Sequence, residues 1–449
     1  MKSLTIKTEI EKLGTILLIA GMILLPVVEF ICSLSANHFM WQEEIVILMG
    51  ATSFICILLL ALQRQRITFY KSDFFIGLLL LFAILSLIFT KDMHQSLYGN
   101  KPSYREGILV FFSYYSVALF SSRIVKTDYR KWILKTFLIL GITETLVGIL
   151  QSNGWWPYSV LFDNMIPIDE NAFGVPHWAF GFTEHRNFFS ALTVIFTGLS
   201  AGLFLLSEGK KRLLYLILTS FCFYGVVITY SRLGLLGIIG FISYLLLISR
   251  VAYKLKIKKT SLSPRNILSL FGVYVLVLLI ACIISPEIIN NLLKFKNELS
   301  SGDLNTLGSC RMFIWKEGLE TVPHYWYIGT GLDNYVYSFF WDNPNYDGFY
   351  QDKGHNEYIH ILVTQGVFTL ITWLSMIFYN LTTSTKRFFY SDDTESKITF
   401  ILIVMYGGYL CQALANSSVT NVAIYNWVIT GLLLYTADKK PLKTIEIKS

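Results

Sequence analysis

The sequence predicts an all-α polytopic membrane protein. It has about twelve transmembrane helices in one integral membrane domain spanning 1–449, and a large, partly helical extracytoplasmic loop before the tenth helix. Three observations predict this. Hydrophobic residues make up 54% of the chain and charged residues 15%, where a soluble globular protein carries about 25% charge. The mean hydropathy is +0.53, and it is concentrated in apolar runs close to the roughly 20 residues that a helix needs to cross the hydrocarbon core. Lysine and arginine are distributed unevenly between alternate connections.

In chain order the runs fall near 13–34, 44–62, 74–90, 107–122, 132–151, 187–206, 213–230, 233–249, 267–285, 356–380, 398–415 and 421–436. The first has no small-residue cleavage site and reads as a span, not a cleaved signal. With the N-terminus inside, the inner segments carry 26 of the 37 lysines and arginines, which is the positive-inside bias. Both termini are therefore expected in the cytoplasm. The connections 91–106, 152–186 and 286–354 face outward and form the working side. The formal net charge of +7 is a topology signal and implies no nucleic-acid partner. The basic run Lys254-Leu-Lys-Ile-Lys-Lys259 reads as an anchor near anionic lipid. The six cysteines form no CxxC and no metal-ligand spacing, and read as small core residues.

Cations are disfavoured on the outer face, so arginines placed tightly there point to anion binding. Arg186 stands just before a span, beside His185. Arg232 lies in Thr229-Tyr-Ser-Arg232, between two adjacent runs. Arg311 lies inside the large loop. The planar guanidinium fork suits phosphate, giving two parallel charge-assisted hydrogen bonds. Arg105 reads instead as paired with a local acid such as Glu106.

The segment Gly354-His355-Asn356-Glu357-Tyr358 is where the large polar loop meets an apolar helix. A neutral histidine there suits a general base near neutral pH, with Glu357 and His185 as secondary candidates. His177, His324 and His360 read as ordinary surface or helix-face residues. The many aromatic residues of 325–350 serve as sugar platforms or as an interfacial belt. From Arg311 to Val322, Met312, Trp315 and Leu319 share a helical stripe, so a helix lying on the membrane is expected.

Glu144 and Glu29 lie within spans, where a carboxylate is costly. With no inverted repeat, they read as structural hydrogen-bonding groups rather than a transport relay. Walker A, HExxH, GxSxG and an extracytoplasmic DxD pair are all absent, since Asp392-Asp393 falls on the inner side. No metal and no cofactor is expected. A metal-dependent transferase is the rival enzyme, with Glu43, Glu44 or Asp92 as its candidate acids.

Taken together, Tyr230-Ser231-Arg232, Arg311 with Trp315, Gly329-Thr-Gly331, and His355-Asn356-Glu357-Tyr358 followed by Gly366 resemble the O-antigen ligase and O-antigen polymerase superfamily of bacterial membrane glycosyltransferases. The motif-bearing part runs from about 180 to 380. The resemblance implies a multi-pass protein of the cell membrane, active in cell-envelope polysaccharide assembly. Its donor would be an undecaprenyl-diphosphate-linked oligosaccharide, and its acceptor a hydroxyl on a glycan, lipid or protein. It further implies that Arg232 and Arg311 grip the diphosphate, with Arg186 as an added contact. His355 would orient or deprotonate the attacking hydroxyl, and a single displacement would invert the anomeric carbon without metal. Ligase and repeat-unit polymerase share this skeleton. A lipid-linked glycan flippase is the reading from another class; it predicts function resting on Glu144.

Overall fold

The computed structural model describes residues 2–33, 41–63, 66–99, 105–153, 178–183, 185–301, 307–340, 348–437 and 443–446. Among these are fifteen α-helices. They are α1 (Lys2–Ser33), α2 (Gln42–Leu62), α3 (Lys71–Leu85), α4 (Met93–Tyr98), α5 (Ile108–Ser121), α6 (Thr127–Ser152), α7 (Arg186–Leu206), α8 (Gly209–Val227), α9 (Arg232–Lys254), α10 (Pro264–Ile284), α11 (Glu287–Ser301), α12 (Arg311–Tyr325), α13 (Glu357–Tyr390), α14 (Thr394–Gln412) and α15 (Thr420–Ala437). Two four-residue strands, Arg66–Phe69 and Lys443–Glu446, pair antiparallel.

Each of the twelve apolar runs is a helix. Seven of these helices (α1, α2, α6, α7, α9, α10 and α13) are long and apolar enough to cross a membrane. Those with apolar surface on the outside of the bundle expose it broadly: Leu62, Ile283 and Phe378 are 78%, 80% and 70% exposed. Such surface requires a lipid neighbour. The chain is a multi-pass membrane protein.

At the centre lie α7, α14 and α15. The apolar window of α7 is 89% buried, that of α10 only 22%, so α7 is a core helix and α10 a peripheral one. A helix buried on all sides must satisfy its own hydroxyls. Thr193, Thr197 and Ser200 of α7 do so by donating back to Phe189 O, Thr193 O and Phe196 O at 2.9, 2.6 and 2.9 Å. Gly198 and Gly202 let α14 approach, since an added Cβ would come within 3.0 Å of Met405 Cα and 3.1 Å of Ile401 Cα. Small residues at the interface are the usual means of close helix packing without water.

The intramembrane acids are hydrogen-bonded. Glu144 Oε2 accepts from Phe182 N at 3.1 Å. Glu29 Oε1 accepts from Gln42 Nε2 at 3.0 Å and Asn421 Nδ2 at 2.5 Å. The acids of the rival metal site are also engaged. Glu43 accepts from Arg105 N at 3.0 Å, and Asp92 Oδ1 caps α4 through Gln95 N at 3.0 Å.

The long connection from α10 to α13 holds α11, α12 and a 3-10 turn at Tyr335–Ser338. α12 packs Ile314, Gly318 and Thr321 inward, with Ile314 joining Tyr335, Phe339 and Val363 in a small core of its own. The apolar stripe read from the sequence is the outer edge of that helix: Met312 and Leu319 are exposed.

α13 is broken at Gly366, whose φ is +81°. The turn after α12 fills the break. Thr330 N and Gly331 N donate to Val363 O and Thr364 O at 2.9 Å each, and Val367 N donates to Trp326 O at 2.7 Å. Both Gly329 and Gly366 are needed here, because a Cβ on either would collide with the other's backbone segment. The Gly329-Thr-Gly331 motif is thus the piece that plugs the kink.

Candidate functional site

The arginines and histidines singled out in the sequence converge where several helices begin. His185 is the extended residue before α7, and its Nδ1 accepts from Asn187 N at 3.2 Å. Arg186 opens α7 and stacks its guanidinium on Trp178, 4.5 Å from the ring centre. The turn from α8 to α9 passes through Tyr230 at φ +52° and delivers Arg232 as the first residue of α9. Ser231 Oγ donates to Asn187 Oδ1 at 2.8 Å, so the starts of α7 and α9 are tied together.

Arg311 opens α12 after three consecutive residues with left-handed backbone, Gly308, Ser309 and Cys310. Its Nη1 donates to Gly308 O at 2.7 Å. His355 has φ +46° and precedes Asn356, whose Oδ1 caps α13 through Tyr358 N and Ile359 N at 3.0 and 3.1 Å. Non-glycine residues in this region store strain, and such strain gathers at functional sites.

Electrostatics ties these groups into one cluster. Burial, then the charges of Arg232 and Arg186, lower Arg311 to about 10. Burial, then Arg311, His185 and Lys353, lower His355 to about 3. His185 keeps an open surface, yet the protein crowding it, followed by Arg186 and Arg311, lowers it to about 4. Both imidazoles are therefore neutral near pH 7, able to accept a proton and unable to add to the positive charge. Helix starts at Arg186, Arg232 and Arg311 add partial positive charge to the same region.

Two buried polar atoms here have no hydrogen-bond partner among the described residues: Arg311 Nε and His355 Nδ1. Trp315 Nε1, one turn after Arg311, is a third. Buried unpaired groups of this kind are rare and call for an explanation, such as a ligand. Arg232 by contrast is engaged. Its Nη1 and Nη2 donate to Glu298 Oε2 and Oε1 of α11, both at 3.0 Å. Arg232 holds the Glu298 carboxyl below its ordinary range.

Below His355 lies a second network that the sequence reading missed. Lys353 Nζ donates to Glu106 Oε2 at 2.8 Å and to Asp333 Oδ1 at 2.7 Å. The three side chains are 6%, 4% and 0% exposed. Burial opposes the charge on Lys353, but Asp333 and Glu106 outweigh it and raise its pKa. A solitary lysine two residues before His355 was the available signal. The partners come from 20 and 247 residues away, which no local pattern reveals.

This network corrects the sequence reading of Arg105. Glu106 belongs to Lys353, and Arg105 Nη1 lies 4.0 Å from Glu44 Oε1 instead. Glu357 accepts from Ser418 N at 2.6 Å and, with Glu106 and Gln365, lines a small cavity. His360 is a helix-face residue of α13, on its buried side: it accepts from Gly354 N at 3.3 Å and stacks on Tyr335. Of the aromatic residues, Tyr335 and Phe339 are core, whereas Trp326, Phe349 and Tyr350 are exposed. His177, Trp341 and Tyr346 lie outside the described residues.

Residues 214–374 match a family model described as O-antigen ligase. The match contains Arg232, Arg311, His355, Glu357 and the Gly366 kink; His185 and Arg186 precede it. No curated protein matches the chain.

Proposed function

We propose, from the match of residues 214–374 to a family model described as O-antigen ligase, that this membrane protein is a glycosyltransferase that transfers a glycan from an undecaprenyl diphosphate carrier to an acceptor hydroxyl on the outer face of the cytoplasmic membrane. The observation that carries the reading is that Arg186 and Arg232 act on Arg311, and Arg311 on a neutral histidine whose buried Nδ1 has no partner among the described residues.

Arg232, Arg311 and Arg186 bind the donor's diphosphate. A lipid-linked glycosyl diphosphate carries two negative charges, and the departing lipid diphosphate carries three. The guanidinium groups therefore favour the transition state over the bound donor, the condition for catalysis by charge stabilisation. His355 accepts the acceptor's hydroxyl proton. The acceptor oxygen bonds to the anomeric carbon as the carbon–oxygen bond to the diphosphate breaks, and the leaving group keeps the electron pair. One displacement inverts the configuration. In this reading the arginines supply the charge that a divalent cation supplies elsewhere. The sidedness rests on the lysine and arginine asymmetry, which also puts both termini inside.

The test is transfer by purified protein with lipid-linked oligosaccharide and acceptor in EDTA, comparing wild type with His355→Ala. Transfer by the wild type and loss in the variant, with donor binding retained, is the expected result. Near-normal transfer by the variant would remove His355 from the chemistry. The size ladder of the product then distinguishes a repeat-unit polymerase from a ligase. Donor binding with no transfer to any hydroxyl acceptor would shift weight to a flippase, where Glu144 becomes the residue to change.

A further inference from the structure

We infer that Glu298 is a built-in occupant of the phosphate position on Arg232, a carboxylate that the donor must displace and that returns to help expel the product. This rests on the reading of Arg232 as a phosphate ligand.

Three features of the contact carry the inference. First, the pair is fork to fork, with both terminal nitrogens of Arg232 donating to the two oxygens of Glu298 at 3.0 Å. A phosphate group takes the same two parallel bonds. Second, Glu298 Oε2 also accepts from Gly308 N at 3.1 Å, and Gly308 O accepts from Arg311 Nη1 at 2.7 Å. The carboxylate thus touches one proposed phosphate ligand directly and a second through a single residue. Third, the pair is open to exchange: Arg232 and Glu298 are 26% and 21% exposed. The neighbouring Lys353 pairs, at 6% or less, are locked in by burial. A fully buried pair cannot be broken without stranding a charge, whereas a partly exposed one is weaker and releases its partners toward water.

The helix that carries Glu298 lies over the α8–α9 turn as a strap. Tyr230 Oη and Ser285 Oγ are 2.6 Å apart, and Asn291 Nδ2 donates to Tyr230 O at 2.6 Å. These contacts keep Glu298 close to Arg232 when the carboxylate lets go, so re-entry is intramolecular.

Charge decides the direction of the effect. One carboxylate against three guanidinium groups leaves Arg186 and Arg311 without an ion pair among the described residues. A diphosphate outbids it. Once the bond breaks, the third negative charge of the product matches the third guanidinium group only if Glu298 is out. Its return opposes the product and promotes release.

The experiment is equilibrium binding of inorganic pyrophosphate to the purified full chain, followed by donor kinetics. The variants are Glu298→Gln, Glu298→Asp, Arg232→Ala and the double variant Arg232→Ala/Glu298→Gln. Glu320→Gln is the control for net charge, because Glu320 is exposed and pairs only loosely with Lys316. Glu298→Gln is expected to tighten pyrophosphate roughly two- to five-fold, the range for a half-open ion pair. Donor KM and the product inhibition constant should fall by a similar factor. Glu298→Asp, which keeps the charge, should move less, and Glu320→Gln should match wild type. In the Arg232→Ala background, the Glu298→Gln gain should vanish.

Unchanged or weaker binding in Glu298→Gln, with Arg232→Ala weak, overturns the inference and leaves the phosphate reading of Arg232 standing. The same gain in the Arg232→Ala background reduces Glu298 to a general field effect and also overturns it. Wild-type binding by Arg232→Ala removes Arg232 from the phosphate site, and the inference falls with that reading.

Discussion

Replacing Lys353 by methionine tests whether the buried ion network holds the catalytic loop. Methionine keeps the length and apolar volume and removes the charge. The lysine lies 2.8 Å from Glu106 Oε2 and 2.7 Å from Asp333 Oδ1, with all three side chains at 6% exposure or less. Removing one partner from a buried pair costs about 3–5 kcal/mol, chiefly because the other charge is stranded. Two acids are stranded here, but the cost does not double. Burial already raises the Glu106 carboxyl, with Lys353 restraining it, so in the variant Glu106 takes up a proton and becomes neutral. A loss of about 3–5 kcal/mol remains, a large part of the roughly 5–15 kcal/mol that holds a domain together. The sign with pH follows. A carboxyl whose folded pKa lies above its unfolded value favours the fold at low pH and loses that contribution as pH rises through the folded value. The deficit of the variant should therefore narrow from pH 8 to pH 5. Denaturant unfolding in mixed micelles at both pH values measures this. Lys316→Met serves as control, where an exposed pair at 3.7 Å predicts a change within about 0.5 kcal/mol. A Lys353→Met deficit below about 1 kcal/mol, or one that grows toward acid, would refute the argument that this lysine is the pivot of a buried network.

Arg232→Lys should weaken donor binding nearly as much as Arg232→Ala, on the order of ten-fold or more, because one ammonium cannot make both parallel bonds. Full activity in the lysine variant would show that charge alone matters. With His355 at about 3 and His185 at about 4, kcat/KM should stay flat from pH 8 down to about 5. An acid limb centred near the ordinary histidine value would contradict the electrostatics of the free site. Gly366→Ala should cost on the order of 1–3 kcal/mol, since φ is +81° and the new methyl group meets the Tyr327 carbonyl. Wild-type thermal stability in that variant would mean that the kink is not needed.

The sequence showed where the helices lie more clearly than how they meet. Apolar runs of membrane length are long-range composition signals, and every run became a helix. The arginines were legible because a cation is anomalous at those points, and His355 because it stands where a polar loop meets an apolar helix. The network of Lys353, Glu106 and Asp333 was not, because its partners come from distant turns and look like ordinary polar loop residues. Gly329 and Gly366 were noted as motif residues, but their mutual contact across the kink depends on the path of the chain after α12. The face that α12 buries was not legible for a related reason. Periodicity finds an apolar stripe at Met312, Trp315 and Leu319, but the helix turns its small residue, Gly318, toward Tyr335. The Tyr335 hydroxyl donates to Ile314 O at 2.8 Å, a contact that side-chain hydrophobicity does not encode.

The depressed basicity of His355 bears on the order of events in the proposed reaction. An imidazole near 3 is a weak base, poorly matched to a hydroxyl. Burial is the chief cause of its depression, and the charge of Arg311 is the next. A bound diphosphate neutralises that charge and lifts the imidazole by the part due to Arg311, so the base gains strength when the donor is in place. The acid limb of kcat, which reports the loaded enzyme, should therefore lie at higher pH than that of kcat/KM, which reports the free one. The same coupling leaves His355 a poor base while the diphosphate is absent. If the two limbs coincide, the donor does not reach the field of Arg311, and the phosphate must lie on Arg232 and Arg186 alone.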